Sequence, residues 1–167
     1  MDDPFEQIEP VFALKDYKLP RMILSPRHWA DYTCQVNLNW QPIPFSADRV
    51  ADVPNDARGV YTFVVQPGIA NHPQCSYLLY VGKVERQVFR DRYRQYLREK
   101  QMMQEARRPH ISRMLQKWDG YLWFFYAEIA DEAQITEVED ALLAAYLPSH
   151  NRDFPSHVSY EHRCALE

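Results

Sequence analysis

Two apolar runs stand out in the middle of the chain. Residues 59–66 and 76–84 are rich in Val, Tyr and Leu, the composition of strands. Pro67, Gly68 and Pro73 lie between them and predict an antiparallel hairpin with a long loop. From about Gln87 to Ala106 the apolar positions take helical spacing, and Pro109 stops that pattern. His110 to Trp118 predicts a second helical piece, and Asp119-Gly120 a turn. Tyr121 to Ile129 is the strongest strand signal. A last helix is predicted over about Glu132 to Tyr146, begun by Asp131 or Thr136 and ended before Pro148.

The first 58 residues are punctuated by proline. Thr33 to Trp40 alternates polar and apolar residues, as a half-buried strand does. Ser46 to Val53 reads as a short helix or turn with Ser46 as N-cap, and residues 55–59 as a turn. Residues 149–167 look irregular. The order β-β-α-α-β-α predicts an α+β fold: a small antiparallel three-stranded sheet flanked by helices, with an N-terminal extension.

Helical spacing isolates two charges on apolar faces. Phe89, Tyr93, Tyr96 and Leu97 share one side of the first long helix, and Arg92 falls among them. Arg90, Arg94 and Arg98 form a row on another side and read as a solvent-facing ridge. In the last helix Ile135, Val138, Leu142, Leu143 and Tyr146 form the core stripe, and Glu139 lies inside it. A buried guanidinium wants an anion, and a buried carboxylate wants an arginine, a lysine or a metal ion. Two structural readings compete: an internal Arg92–Glu139 salt bridge, or a capping box from Thr136 to Glu139.

Charge sharpens this picture. The net charge is -4, which argues against a general nucleic-acid binder. Yet residues 83–117 hold 11 of the 19 Lys and Arg and only four acids. Such concentration is the footprint of a surface facing a polyanion, or else a solvated helix face balanced by acidic neighbours. Cys34, Cys75 and Cys164 share no metal-like spacing, and their odd number gives no disulfide framework. That usage and the acidic N-terminus, with no signal peptide in view, point to the cytoplasm. The longest apolar run, Tyr121 to Ala127, is far short of the ~20 residues that span a bilayer. The histidines show no ligand spacing, and His110, His150 and His157 read as surface residues.

Gly59-Val60-Tyr61, then Tyr80-Val81-Gly82-Lys83, then Phe89, Arg92 and Tyr96, then Glu139, Pro148 and Asn151, taken in this order, resemble the GIY-YIG nuclease family. The first signature element stands as Gly59-Val60-Tyr61 and the second as Tyr80-Val81-Gly82, followed by Lys83. The family's helix with an arginine, and a His or Tyr four residues on, is matched by Phe89, Arg92 and Tyr96. Its later glutamate, with a proline after it and an asparagine twelve residues on, is matched by Glu139, Pro148 and Asn151. The resemblance covers residues 54–151, leaving 1–53 as an extension of unknown function and 152–167 as a tail. Tyr96, in place of the commoner His, and Lys83 resemble the excision-repair incision nucleases of the family. The interval from Tyr80 to Arg92 is about two residues longer than in many members, and residues 101–118 exceed a minimal domain.

The resemblance implies a DNA endonuclease with one Mg2+ or Mn2+ per active site, held by Glu139 and waters. Arg92 would hold a nonbridging phosphate oxygen. Tyr61 or Tyr80 would orient or deprotonate the attacking water, with Lys83 the nearby cation by sequence. Tyr96 would replace the family histidine, bonding to phosphate or to Tyr61, and Asn151 would tie the chain end to the site. Arg90, Arg94 and Arg98, with Arg107, Arg108 and Arg113, would contact backbone phosphates, giving affinity but no sequence choice. Repair, restriction and phage defence are all open, and a homodimer would allow double-strand cleavage. The alternative is a non-cleaving module that binds nucleic acid or protein on the same scaffold, with Trp29 and Trp40 of the extension as contact candidates.

Overall fold

The run at residues 59–65 is buried along its whole length, as a strand covered on both faces must be. The structure, a computed structural model, describes residues 22–69, 76–102 and 105–158. The strands are β1 (Gln41–Pro44), β2 (Gly59–Val65), β3 (Tyr77–Val84) and β4 (Leu122–Glu128). The helices are α1 (Pro26–Ala30), α2 (Phe89–Met102), α3 (Pro109–Lys117) and α4 (Glu132–Tyr146), with a short 3-10 helix at Ala47–Asp52. The sheet is antiparallel in the order β1-β4-β2-β3. Its class is the expected one, α+β, but it has four strands rather than three.

The extra strand, β1, hides in a proline-rich stretch. Pro42 and Pro44 cannot donate ladder hydrogen bonds, and β1 sits at the sheet edge, where proline is tolerated. The sequence boundary expected near residue 54 thus falls between β1 and β2 of one sheet. Thr33 to Trp40, expected as a strand, carries no strand pairing. Its alternation survives as packing: Cys34, Val36, Leu38 and Trp40 lie against the core under α4. The hairpin of β2 and β3 forms as expected, and Pro73 lies outside the described residues, as do Cys75, Cys164 and residues 1–21.

Strand alternation divides the interior in two. Tyr61, Phe63 and Val65 face α2 and α3, packing with Phe89, Tyr93, Tyr96 and Phe124. Val60, Val81 and Ala127 face α4, meeting Ile135, Val138, Leu142 and Leu143. The first core is built of rings set mostly edge to face, such as Phe63 against Tyr96 at 4.9 Å. Gly59 has φ +145°, and a Cβ there would strike the Ala127 carbonyl, so the β2–β4 contact requires glycine.

Asp131 caps α4, accepting from the Ala133 N–H at 3.0 Å, which settles the start in its favour over Thr136. Tyr146, expected in the core stripe, is 50% exposed, while its neighbours Ala145 and Leu147 are buried. The helix closes on Leu147 in the left-handed region at φ 45°, just before Pro148. No helix among the described residues is long and apolar enough to cross a membrane.

Candidate active site

β3 is an edge strand, and groups from both faces of the sheet meet around its free edge. Tyr61 lies on β2 opposite Gly82. Its ring crosses over β3 because Gly82 has no side chain: a Cβ there would overlap the Tyr61 hydroxyl and lie 2.6 Å from Cζ. Beyond Gly82 the hydroxyl enters a chain of polar contacts. Arg92 Nε donates to Tyr61 Oη at 3.0 Å, and Tyr61 Oη meets Tyr96 Oη at 2.7 Å. Arg92 Nη1 donates to Gln95 at 3.1 Å, and Gln95 donates in turn to Gln87 at 2.6 Å. The register slips between Phe63 and Val64, leaving Leu79 as a bulged residue beside Tyr80.

The opposite face contributes Lys83 and Glu139. Lys83 Nζ lies 3.2 Å from Glu139 Oε2 and 3.0 Å from Glu85 Oε1, and donates to Thr136 Oγ1 at 2.7 Å. Thr136 itself donates to Glu85. The inward charge of α4 is therefore met by Lys83 rather than by Arg92, and Thr136 is engaged by β3 rather than in a capping box. Two hollows, of about 470 and 600 Å³, share Tyr80, Arg92 and Glu139 in their walls and form one cleft along the β3 edge.

The edge is closed lower down by the segment after α4. Asn151 accepts from the Val81 N–H at 2.9 Å and donates to the Val81 carbonyl at 2.8 Å. His150 N–H donates to the Leu79 carbonyl at 3.0 Å. One amide side chain thus does for β3 what a neighbouring strand would do.

Burial governs the electrostatics here. It pushes the hydroxyls of Tyr61, Tyr80 and Tyr96 well above the usual tyrosine range, and Arg92 offsets only part of this. Burial also raises the Glu139 carboxyl, and Lys83 pulls it back incompletely. For Lys83 itself burial works against the charge, but Glu85 and Glu139 outweigh it and raise the ammonium. Both partners are largely buried and in direct contact, so this ion pair is little screened, and a metal ion at Glu139 would have to compete with Lys83.

Among the described residues no three His, Cys, Asp or Glu side chains gather as a metal cage. The donor set fits a hydrated Mg2+ or Mn2+ nonetheless. Glu139 offers one hard oxygen donor, 16% exposed, on the wall of a water-accessible cleft, and Mg2+ keeps several waters while taking one or two carboxylates.

Tyr61, Tyr80, Arg92 and Tyr96 come together on one side of the edge, Lys83 and Glu139 on the other, and Asn151 just below. The two tyrosines differ in access. Tyr61 is wholly buried, whereas Tyr80 lines the cleft. The outer arginines are not alike. Arg94 and Arg98 are exposed, Arg94 lying 3.5 Å from Asp91. Arg90 is turned back to the carbonyls of Val53, at 2.7 Å, and Ala51, at 3.1 Å, and so anchors the 3-10 helix. Arg107 and Arg113 are exposed, while Arg108 points inward to Glu99 and Tyr96.

Periodicity does not find Gln87, Gln95, Thr136 or the inward turn of Arg108. The first three look like ordinary surface polar residues, and Arg108 stands between helices, where no period applies. His110 and His150, expected at the surface, are half-buried, because α3 and the segment after α4 fold against the cleft; His157 is exposed. Comparison with models of known protein families, with curated proteins and with solved structures finds no match for the chain.

Proposed function

We propose that this chain is a metal-dependent DNA endonuclease of the GIY-YIG kind, hydrolysing phosphodiester bonds in the cleft along the free edge of β3. One observation carries the reading: Tyr80 and Arg92 from one face and Glu139 from the other line a single cleft, with Tyr61 and Tyr96 buried behind Arg92 and hydrogen-bonded to each other and, through Tyr61, to it. The antiparallel sheet with helices on both faces accords with a GIY-YIG-like domain. The basic segment over residues 83–117 accords with a DNA substrate. The setting we propose is cytoplasmic, in DNA repair, restriction or phage defence.

A divalent ion at Glu139 would stabilise charge on the phosphate and acidify a bound water. Arg92 has Nε on Tyr61 and Nη1 on Gln95, which leaves Nη2 to a nonbridging oxygen. The fork is thereby oriented before substrate arrives, which lowers the cost of ordering it. Tyr80, the tyrosine with access to the cleft, positions the attacking water. Its buried hydroxyl stays neutral at pH 7, so it orients the water as a donor or acceptor and does not take its proton. Tyr61 acts at one remove by holding Arg92. Tyr96 joins Tyr61 to the far end of the cleft. Lys83 keeps Glu139 ionised and aimed until a stronger cation takes the carboxylate.

The test is to incubate the protein with labelled duplex, branched and single-stranded DNA, and with RNA, in Mg2+, Mn2+ or EDTA. Cutting of DNA with divalent ions and not with EDTA is expected; no cutting of any substrate refutes the reading. A second reading, a scaffold that binds nucleic acid or protein without cutting, is favoured by Lys83, which already meets the charge of Glu139. It predicts binding in the same mixtures with every strand left intact.

A further inference from the structure

The cleft extends beyond the atoms that the proposed reaction uses. Its wall on α2 and α3 is basic, and its wall on α4 is acidic. Arg108, immediately before α3, turns inward. Its Nη2 lies 2.9 Å from Glu99 Oε1 and its Nη1 3.4 Å from Tyr96 Oη. The guanidinium carbons of Arg92 and Arg108 stand 5.3 and 4.9 Å from the centre of the same Tyr96 ring. They are therefore no farther apart than those two distances laid end to end. A nucleic-acid strand covers such a span within about three nucleotides, since its phosphates recur every ~3.4 Å along the helix axis.

His110, in the first turn of α3, lines the same end of the cleft, and its Nδ1 is buried without a hydrogen-bond partner. Burial, together with Arg152, Arg108 and Arg113 against Asp153, holds this imidazole far below its ordinary range, at about 4. The ring is neutral, and beside it Arg108 and Arg152 line this end of the cleft with guanidinium groups that an anion would meet. Glu99 pairs with Arg108 but does not line the cleft, whose own carboxylate at this end is Asp153.

We infer that Arg108, Arg152 and His110 form a second phosphate subsite, which takes a phosphate of the same strand flanking the one that is cut. The assignment rests on the proposed nuclease reading for its substrate. It gives the enzyme a grip on one strand across two phosphates, and so fixes the polarity with which that strand enters. The acidic wall beside Glu139 repels the strand and confines it to the basic side.

The test uses the full chain carrying Glu139→Gln, so that nothing is cut, and a short fluorescent oligothymidylate. Binding is followed by anisotropy over a range of NaCl concentrations in EDTA. Arg108→Met is combined with Glu99→Gln so that no buried carboxylate is left alone, and Arg152→Met is made separately. Each variant is expected to bind about tenfold more weakly, with a salt slope shallower by ~0.7 for each phosphate of the single strand that is no longer neutralised. Unchanged affinity and slope in variants that melt like the parent overturn the subsite. A second measurement is independent of cleavage and of DNA. Inorganic phosphate is titrated into the wild-type chain while the His110 ring is followed by NMR. Phosphate should raise the titration of His110 toward the usual histidine range in the wild type, and not in the Arg108→Met/Glu99→Gln protein. A response of His110 that ignores phosphate refutes the subsite whether or not the chain cuts. Failure of the nuclease reading shows instead as intact strands with the wild-type protein.

Discussion

Gly82→Ala is a one-carbon change that should disable the proposed site without replacing any of its functional side chains. The added Cβ would overlap the Tyr61 hydroxyl, lie 2.6 Å from its Cζ and 3.0 Å from Tyr80 Cε1. The ring cannot retreat, because Tyr61 is wholly buried and stacked 5.2 Å from Phe124. Overpacking a core costs about 1–3 kcal/mol, and losing the charged hydrogen bond from Arg92 adds about 1.5–3 kcal/mol. At about 2.5–6 kcal/mol in all, Tm should fall by ~5–24 °C, using ~2–4 °C per kcal/mol for a chain of this size. Moving Tyr61 moves Arg92, and a misplacement of about 1 Å costs on the order of 10²-fold in rate. The assay pairs thermal melts by circular dichroism with initial rates of DNA cutting. Gly82→Ala/Tyr61→Phe serves as a control: removing the hydroxyl relieves part of the clash and recovers part of the Tm, but the rate stays low because Arg92 has lost its brace. Wild-type Tm and wild-type rate in Gly82→Ala refute the crossing of Tyr61 over β3.

Asn151→Ala removes both bonds to the Val81 backbone; hydrogen exchange at the Val81 amide should speed up and unfolding should cost about 1–3 kcal/mol less. Lys83→Met takes away the cation that competes at Glu139; Mn2+ measured by calorimetry should bind about tenfold more tightly, a gain of ~1.4 kcal/mol. His150 is held at about 4 by burial, against 6.5 for an ordinary histidine, so the unfolded chain takes up its proton first as pH falls. Its contribution is therefore intact above pH 6.5 and lost as pH falls through 4, and urea midpoints should drop across that window less steeply in His150→Gln than in wild type.

Helix positions are legible where apolar residues repeat with a period, as along α4, and strand positions where Val, Tyr and Phe run together, as along β2. Arg92 and Glu139 can be picked out as charges on apolar faces, and the structure places both on the cleft. Their partners are not legible. Lys83 meets Glu139 only because β3 is an edge and α4 crosses behind it, a consequence of strand order that no local pattern carries. β1 is hidden because its prolines read as loop, although an edge strand tolerates them. The alternation of Thr33 to Trp40 tells which side chains pack inward, and it takes a neighbouring strand, not alternation, to make a strand. Arg90 and Arg94 sit one helical turn apart with the same side-chain chemistry, yet one binds backbone carbonyls and the other faces water. Only the position of the 3-10 helix separates them.

The central claim is that Glu139 and Arg92 together make this cleft cut DNA. Its most direct test is the initial rate at which supercoiled plasmid is nicked in Mg2+ by the wild-type chain, Glu139→Gln and Arg92→Ala, each checked for a wild-type circular dichroism spectrum. Nicked circles are expected from the wild type, none in EDTA, and a rate lower by at least about 10²-fold in both variants. Wild-type protein that leaves the plasmid supercoiled, or Glu139→Gln protein that nicks it at an undiminished rate, contradicts the claim.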